Sequence, residues 1–390
     1  MCSCSKSLTL KEWHDLVEAE EAIEPGLEII DPHHHLWDPF SEDRGVVSSL
    51  AKMFSCMSQS TQETIVSLLF PKPLLHVFGK KHLVFEKYAM DDLAADFGGH
   101  NVIKTVQIES WLKKPEWYKG MPSEAQQKAQ FDEALKEAKL NYSYTQTHNG
   151  FPQGFVGHLN LKVGKQKALK QLDELLEANP NLKGIRHSGT FHKSKQLKGM
   201  SQPEGEHEGM YLSSEFQDGF AALGEKGMTF DAYVWHTQLG ELSTLASNFP
   251  NVSIVLNHIG QPLGVGPHKG SKEQVMEDWK KGMTELAQNQ NVYCKLSGIM
   301  PTLGFGFETR KAPPSSDEIV DVIKPYYEHC INSFGVDRCM FASNFPVDKV
   351  SCSYVVVFNA YKKLCNQLGI SEEDKAKLFK NNAAKFYSLE

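Results

Sequence analysis

The chain has 390 residues, of which 41% are hydrophobic and 23% charged, and it carries a formal net charge of -7. That acidic balance argues against a nucleic-acid partner, which calls for a basic face, and the length suits one large barrel domain or two ordinary domains. Its most apolar stretch, Ile65 to Phe78, is interrupted by Pro71, Lys72 and Pro73 and is too short to span a bilayer, so a soluble chain with no membrane association is expected.

Residues 1–26 read as a charged leader in which Thr9 caps a helix over Lys11 to Glu21. The apolar run Leu27 to Ile30 then opens the body of the chain and ends in Asp31-Pro32-His33-His34-His35. Strand alternation places His33 and His35 on one side with Asp31 and sends His34 to the other. The segment 41–97 is longer than an ordinary strand-to-helix connection and predicts a helical insert after the first strand. Further short apolar runs follow: Val102 to Ile108 before Glu109, Gly154 to Leu161, Leu182 to Arg186 before His187, and Thr229 to Trp235 before His236. Val252 to Leu256 before Asn257-His258, Val292 to Leu296 before Ser297, and Cys339 to Ala342 before Ser343-Asn344 complete the series.

Helical patterns separate most of these runs, at Ser123 to Leu140, Gln166 to Glu177, Ser214 to Lys226, Leu239 to Asn248, Lys272 to Gln288 and Ser316 to Phe334. Ser371 to Tyr387 reads as a closing amphipathic helix. Strand alternating with helix about eight times, with polar residues at the strand ends, predicts a parallel α/β fold closed as a (β/α)8 TIM barrel over residues 27–390, with its site on that face. No Gly-rich phosphate turn follows a strand, which argues against an open dinucleotide-binding sheet. Eight cysteines lack the paired spacing of a zinc knuckle or a disulfide framework, so reduced thiols and a cytoplasmic location are expected.

An H-x-H pair at a strand end can give two nitrogen ligands to one divalent ion, or it can simply hydrogen-bond neighbouring loops. His236 and His258, also at strand ends, favour the chemical reading. Arg186 offers a planar charged fork for a carboxylate or carbonyl oxygen, with an internal salt bridge as the alternative. Glu109 is the candidate general base, with an ion-paired barrel residue as the alternative. Lys295 can face either the site or a buried carboxylate, and Asp348 is read as a second candidate base or as a structural pair with Lys349. Tyr233 and Trp235 can line a pocket or fill the core.

The string IDPHHHLWD resembles the signature of the amidohydrolase superfamily's lactonase-like branch, the amidohydrolase-2 group of sugar lactonases and pyrone-dicarboxylate lactonases. GHNVIKTVQIES, GFVGHLNLKVG, KGIRHSG, FDAYVWHTQLGEL, IVLNHIGQPLGVGP, NVYCKLSGI and RCMFASNFPVDK extend the likeness from about Leu27 to Tyr387. The resemblance implies a metal-binding or metal-derived site at the barrel mouth, built from His33 and His35 on the first strand, His236 on the fifth and His258 on the sixth. Asn344 stands where most of the superfamily has an aspartate, and an amide cannot serve as general base. Two mechanisms stay open. In one, histidines hold a divalent ion, zinc or manganese, that polarises a carbonyl and activates water; in the other, without a metal, Arg186, His187 and His236 polarise the carbonyl electrostatically. The expected activity is opening of a lactone or related cyclic ester of a sugar acid or carboxylated metabolite, a small-molecule substrate. The alternatives are a decarboxylase of the same superfamily and a non-catalytic binding barrel, and a homo-oligomer stays open.

Overall fold

The computed structural model describes residues 9–38, 86–110, 123–197 and 207–389, with a few positions between 57 and 68. Eight parallel strands lie side by side in sequence order: β1 Glu28–His34, β2 Asn101–Ile108, β3 Gly154–His158, β4 Leu182–Arg186, β5 Thr229–Ala232, β6 Ile254–Leu256, β7 Val292–Leu296 and β8 Cys339–Phe341. The (β/α)8 barrel expected from the sequence is the fold. Its ring closes by backbone bonds across the β1–β8 seam: His35 N donates to Phe345 O at 2.7 Å, and Asn344 N to His33 O at 2.8 Å.

The outer helices follow the sequence pattern. Ser214–Lys226, Leu239–Asn248 and Ser316–Phe334 have the bounds their apolar periodicity predicts. Ser213 and Ser315 cap the first and last of them by accepting from Phe216 N and Glu318 N. Inside the ring, Ile30, Val106, Val156, Val255 and Met340 form an apolar layer with Phe386, Tyr387 and Leu389, so the C-terminal segment closes the barrel floor.

Three expectations need correction. The leader helix is only Leu10–His14, capped by Thr9 as predicted, because the residues beyond are used as a strap: Glu20 Oε2 and Glu21 O accept from Asn359, and Ile23 O and Glu24 O accept from Lys362. The closing segment is interrupted. Glu372–Ala376 and Asn382–Phe386 are helical, with a wider π turn at Lys377–Asn381 between them. Asp348 is not the partner of Lys349, whose Nζ lies 2.6 Å from Asp96 Oδ2. The 41–97 insert lies mostly outside the described residues; its described end carries the helix Met90–Asp96. Among the described residues no helix is long and apolar enough to cross a membrane.

Candidate active site

The run Ile30 to His35 does not alternate evenly. A register shift between Asp31 and His34 re-aims the strand at Pro32. Ile30 joins the inner apolar layer, whereas Asp31 accepts from Ser343 Oγ (2.6 Å) and Tyr354 Oη (3.1 Å). His33 turns to other partners, His35, His258 and Lys295. Asp31 therefore ties β1 to the β8 loop and does not share the histidines' side, contrary to simple alternation. His34 is buried with both ring nitrogens lacking a hydrogen-bond partner, and burial drives its pKa down to about 3.

His33, His35 and His258 form one buried cluster. The Nε2 atoms of His33 and His35 are 3.3 Å apart, and the ring centres of His33 and His258 are 4.5 Å apart. Burial holds all three well below the ordinary imidazole pKa, and the Arg186 cation adds to it at each, joined by Lys295 at His33 and His258. His258 Nδ1 lies 2.9 Å from Ser297 Oγ. The backbone is strained here: His258, Ile259, Gln261 and Asn344 all have positive φ, between 37° and 56°. Gly298, at φ 82°, lets the chain pass close to this ring, since a Cβ there would sit 2.5 Å from that of His258.

Beneath the cluster, Lys295 Nζ is 2.5 Å from Asp231 Oδ1 and 3.3 Å from His33 Nδ1, with lysine and aspartate both fully buried. Burial lowers the lysine to about 8, although Asp231 opposes the shift. Tyr387, from the floor segment, reaches both oxygens of Asp231 at 3.0 and 2.9 Å. Beside the imidazoles, Arg186 Nε donates to Glu109 Oε1 at 2.6 Å and its Nη2 to Glu109 O at 2.8 Å, with Tyr233 6.0 Å below the guanidinium. Sequence reasoning left both salt bridges open as alternatives, and both are present.

Two expected site residues stand elsewhere. β5 ends at Ala232, and Tyr233 is the residue that packs against His258, at 5.7 Å. His236 lies on the following 3-10 turn, where its Nδ1 accepts from Leu263 N and its ring packs on His268, itself beside His192. Burial and these rings lower its pKa to about 4. His187 follows Arg186 and so takes the opposite face of β4. It packs against Phe216 and accepts from Leu161 N, away from Arg186's partners. Asn344 stands next to His33, its Nδ2 donating to Asp348 Oδ1 at 3.0 Å, while burial pushes the Asp348 carboxyl up to about 7. No local spacing marks Asp231 or Tyr387, whose contacts depend on a partner across the barrel. A cavity of about 400 Å³ opens beside the β1–β8 seam, lined by Trp37, Tyr88, Pro346 and Lys349 among others, and no member of the imidazole cluster lines it.

A parallel barrel that gathers buried imidazoles, a guanidinium and a lysine around the C-terminal ends of its strands belongs to the barrel enzymes. The chain is a member of the amidohydrolase family, whose model matches residues 30–389. The uncharacterized protein y4mH of Sinorhizobium fredii is 30% identical over 367 residues, 93% of this chain and 98% of that one. An L-fucono-1,5-lactonase of Burkholderia ambifaria is 28% identical over 166 residues, which are 42% of this chain and 51% of that protein. Among solved structures, an amidohydrolase from Burkholderia multivorans with bound zinc superposes with a TM-score of 0.61 at 17% identity, covering 93% of this chain and 99% of that one.

Proposed function

We propose that this chain is a lactonase that opens the cyclic ester of a sugar acid or related carboxylated metabolite by attack of water on the carbonyl. The observation that carries the reading is the meeting of His33, His35, His258 and Arg186 at one end of the barrel. Similarity to a lactonase supports the substrate class.

The cluster suits a divalent ion in its donor chemistry. Its imidazoles are neutral, and two nitrogens 3.3 Å apart match the roughly 3.3 Å that a tetrahedral ion with ligands at about 2.05 Å requires. Among the described residues, however, no group of three or more His, Cys, Asp or Glu side chains is arranged to hold a metal. Hence His33 and His35 are the residues assigned to a zinc or manganese ion, with His258 alongside and His236 outside the set. When bound, such an ion supplies Lewis-acid polarisation of the carbonyl and a more acidic water.

The chain's own residues do the rest. Arg186, its plane fixed by two bonds to Glu109, binds the substrate's carboxylate or another polar oxygen. Glu109 thereby serves as the anchor of Arg186. His258, steadied by Ser297 but held well below the ordinary imidazole pKa, accepts a hydrogen bond from the attacking water, and Asp348, raised by burial to about 7 beside Asn344, is the group that takes its proton. Asn344, with its amide oriented by Asp348, holds a polar oxygen without accepting a proton.

The test is a screen of sugar-acid and pyrone lactones with a pH indicator, run on the full chain alongside its metal content as purified. Turnover of a sugar-acid lactone is expected. No turnover of any of them, or release of carbon dioxide without ester hydrolysis, would overturn the reading.

A further inference from the structure

We infer that Glu109 is the specificity-determining residue of this site: by cancelling the charge of Arg186 it favours an uncharged, hydroxyl-bearing lactone ring and disfavours a ring that carries a free carboxylate. The role in turnover rests on the lactonase reading above; the preference itself is a property of binding.

The charge count follows from the pairs. Among the described residues, the Lys and Arg cations that act on the imidazole cluster are Arg186 and Lys295. Each already touches an acid: Arg186 Nε donates to Glu109 Oε1 at 2.6 Å, and Lys295 Nζ to Asp231 Oδ1 at 2.5 Å. Asp31, which acts on Lys295, and Asp348, which acts on Tyr233, can add only negative charge. A guanidinium stays charged throughout, and a lysine that gave up its proton would leave Asp231 uncancelled. These side chains therefore sum to zero at most. Both pairs are buried, the side chains of Arg186 and Glu109 at 8% exposure and those of Lys295 and Asp231 at 0%. A carboxylate brought there from solvent loses its hydration and meets no cation that lacks an acid of its own.

A hydroxyl group meets a better match. The two bonds to Glu109 use Nε and Nη2 of Arg186 and leave Nη1 to donate. Beside it stands a carboxylate, which only accepts. A hydroxyl both accepts and donates, so it can satisfy the two members of the pair together, whereas a carboxylate bound to Nη1 would lie against the like charge of Glu109. Tyr233 adds no charge to this wall. Its hydroxyl donates to Gln261 Oε1 at 3.0 Å, and its ring lies 6.0 Å from the guanidinium, so what it offers a sugar ring is an apolar surface.

The experiment is titration calorimetry of the chelator-treated full chain at about pH 8, above the ordinary imidazole range. The probes are matched pairs of six-membered sugar lactams, non-hydrolysable counterparts of the lactones, in the gluco, galacto and manno series. One member of each pair carries a hydroxymethyl group on the ring and the other a carboxylate at the same carbon. The uncharged member of at least one pair is expected to bind at least about tenfold more tightly than its carboxylated counterpart. E109Q, which leaves the Arg186 charge uncancelled, should reverse that order, and E109D, which keeps the charge, should retain it. Equal or tighter binding of the carboxylated members to the wild type, or binding of no member of any pair, would overturn the inference. So would a folded E109Q that keeps the wild-type order. Because E109Q leaves a buried cation without its partner and can fail to fold, the salt dependence of the wild type gives a second reading. Added sodium chloride should leave the weak binding of the carboxylated members unchanged or strengthen it; a fall with salt would reveal an uncancelled cation and overturn the inference. Binding needs no turnover, so absence of lactone hydrolysis counts against the lactonase reading alone, and a preference for the carboxylated ring in an active lactonase counts against this inference alone.

Discussion

Two histidine groups occupy the same face of this barrel, and they differ in their partners. His33, His35 and His258 are buried, and each has a ring nitrogen held by Lys295, a β2 carbonyl or Ser297. His192, His236 and His268 sit on the loops beyond β4, β5 and β6, with two of the three partly exposed and bonded to one another or to backbone N–H groups. Three imidazoles close together do not by themselves make a reactive centre. The difference lies in whether charged and hydrogen-bonding neighbours fix each ring in one orientation and one protonation state.

The comparison breaks first on activity. H35N should lower kcat/KM by about 10² to 10⁴, the range for removing a group that acts in proton transfer or ligation, as measured by steady-state lactone hydrolysis. A variant that keeps most of its activity would remove the buried group from the chemistry.

E109Q sharpens the role of the neighbouring ion pair. With the charge of its partner gone, Arg186 should bind substrate less well, raising KM about tenfold with kcat within about threefold. Collapse of kcat at unchanged KM would instead make Glu109 the proton acceptor.

Burial also has a consequence in acid at His34, the neighbour of the inner group. His34 titrates at about 3 in the folded chain against about 6.5 when unfolded, so the unfolded state binds more protons between those values. Its stabilising contribution is complete above about pH 6.5 and is lost at about 1.4 kcal/mol per pH unit as the pH falls towards 3. In H34F the urea midpoint should fall less steeply between pH 6.5 and 5 than in the wild type. An unchanged slope would mean that His34 takes up its proton as readily in the folded chain as in the unfolded one.

The smallest effect is expected in the outer group. H236N should leave kcat/KM within about threefold, because the ring touches His268 and Leu263 N and not the inner cluster. A loss comparable to that of H35N would restore the ligand role that family resemblance implies for it.

Much of the architecture was legible because it is local. Short apolar runs separated by amphipathic helices specify a parallel barrel, and helices such as Leu239–Asn248 end where their periodicity ends. The inner cluster was legible in part, since His33, His35 and His258 stand at strand ends as residue types able to ligate an ion or move a proton. Alternation misplaced Asp31 because a bulge at Pro32 reverses faces, and it could not place His236 because β5 stops four residues before it. The Lys295–Asp231 pair stayed ambiguous for a different reason. Its two halves lie 64 positions apart, and only closure of the ring brings them together.

The seam between the first and last strands has a kinetic corollary. Ser343 and Asp31 are separated by 312 positions, and the joint they secure consists of a few bonds rather than a long ladder. Loop-closure entropy makes so distant a contact late to form. The seam is thus the natural place for the cylinder to breathe. Amide exchange at His35 and Asn344 should outpace that of the neighbouring β7 strand, giving solvent intermittent access to the imidazoles from the side.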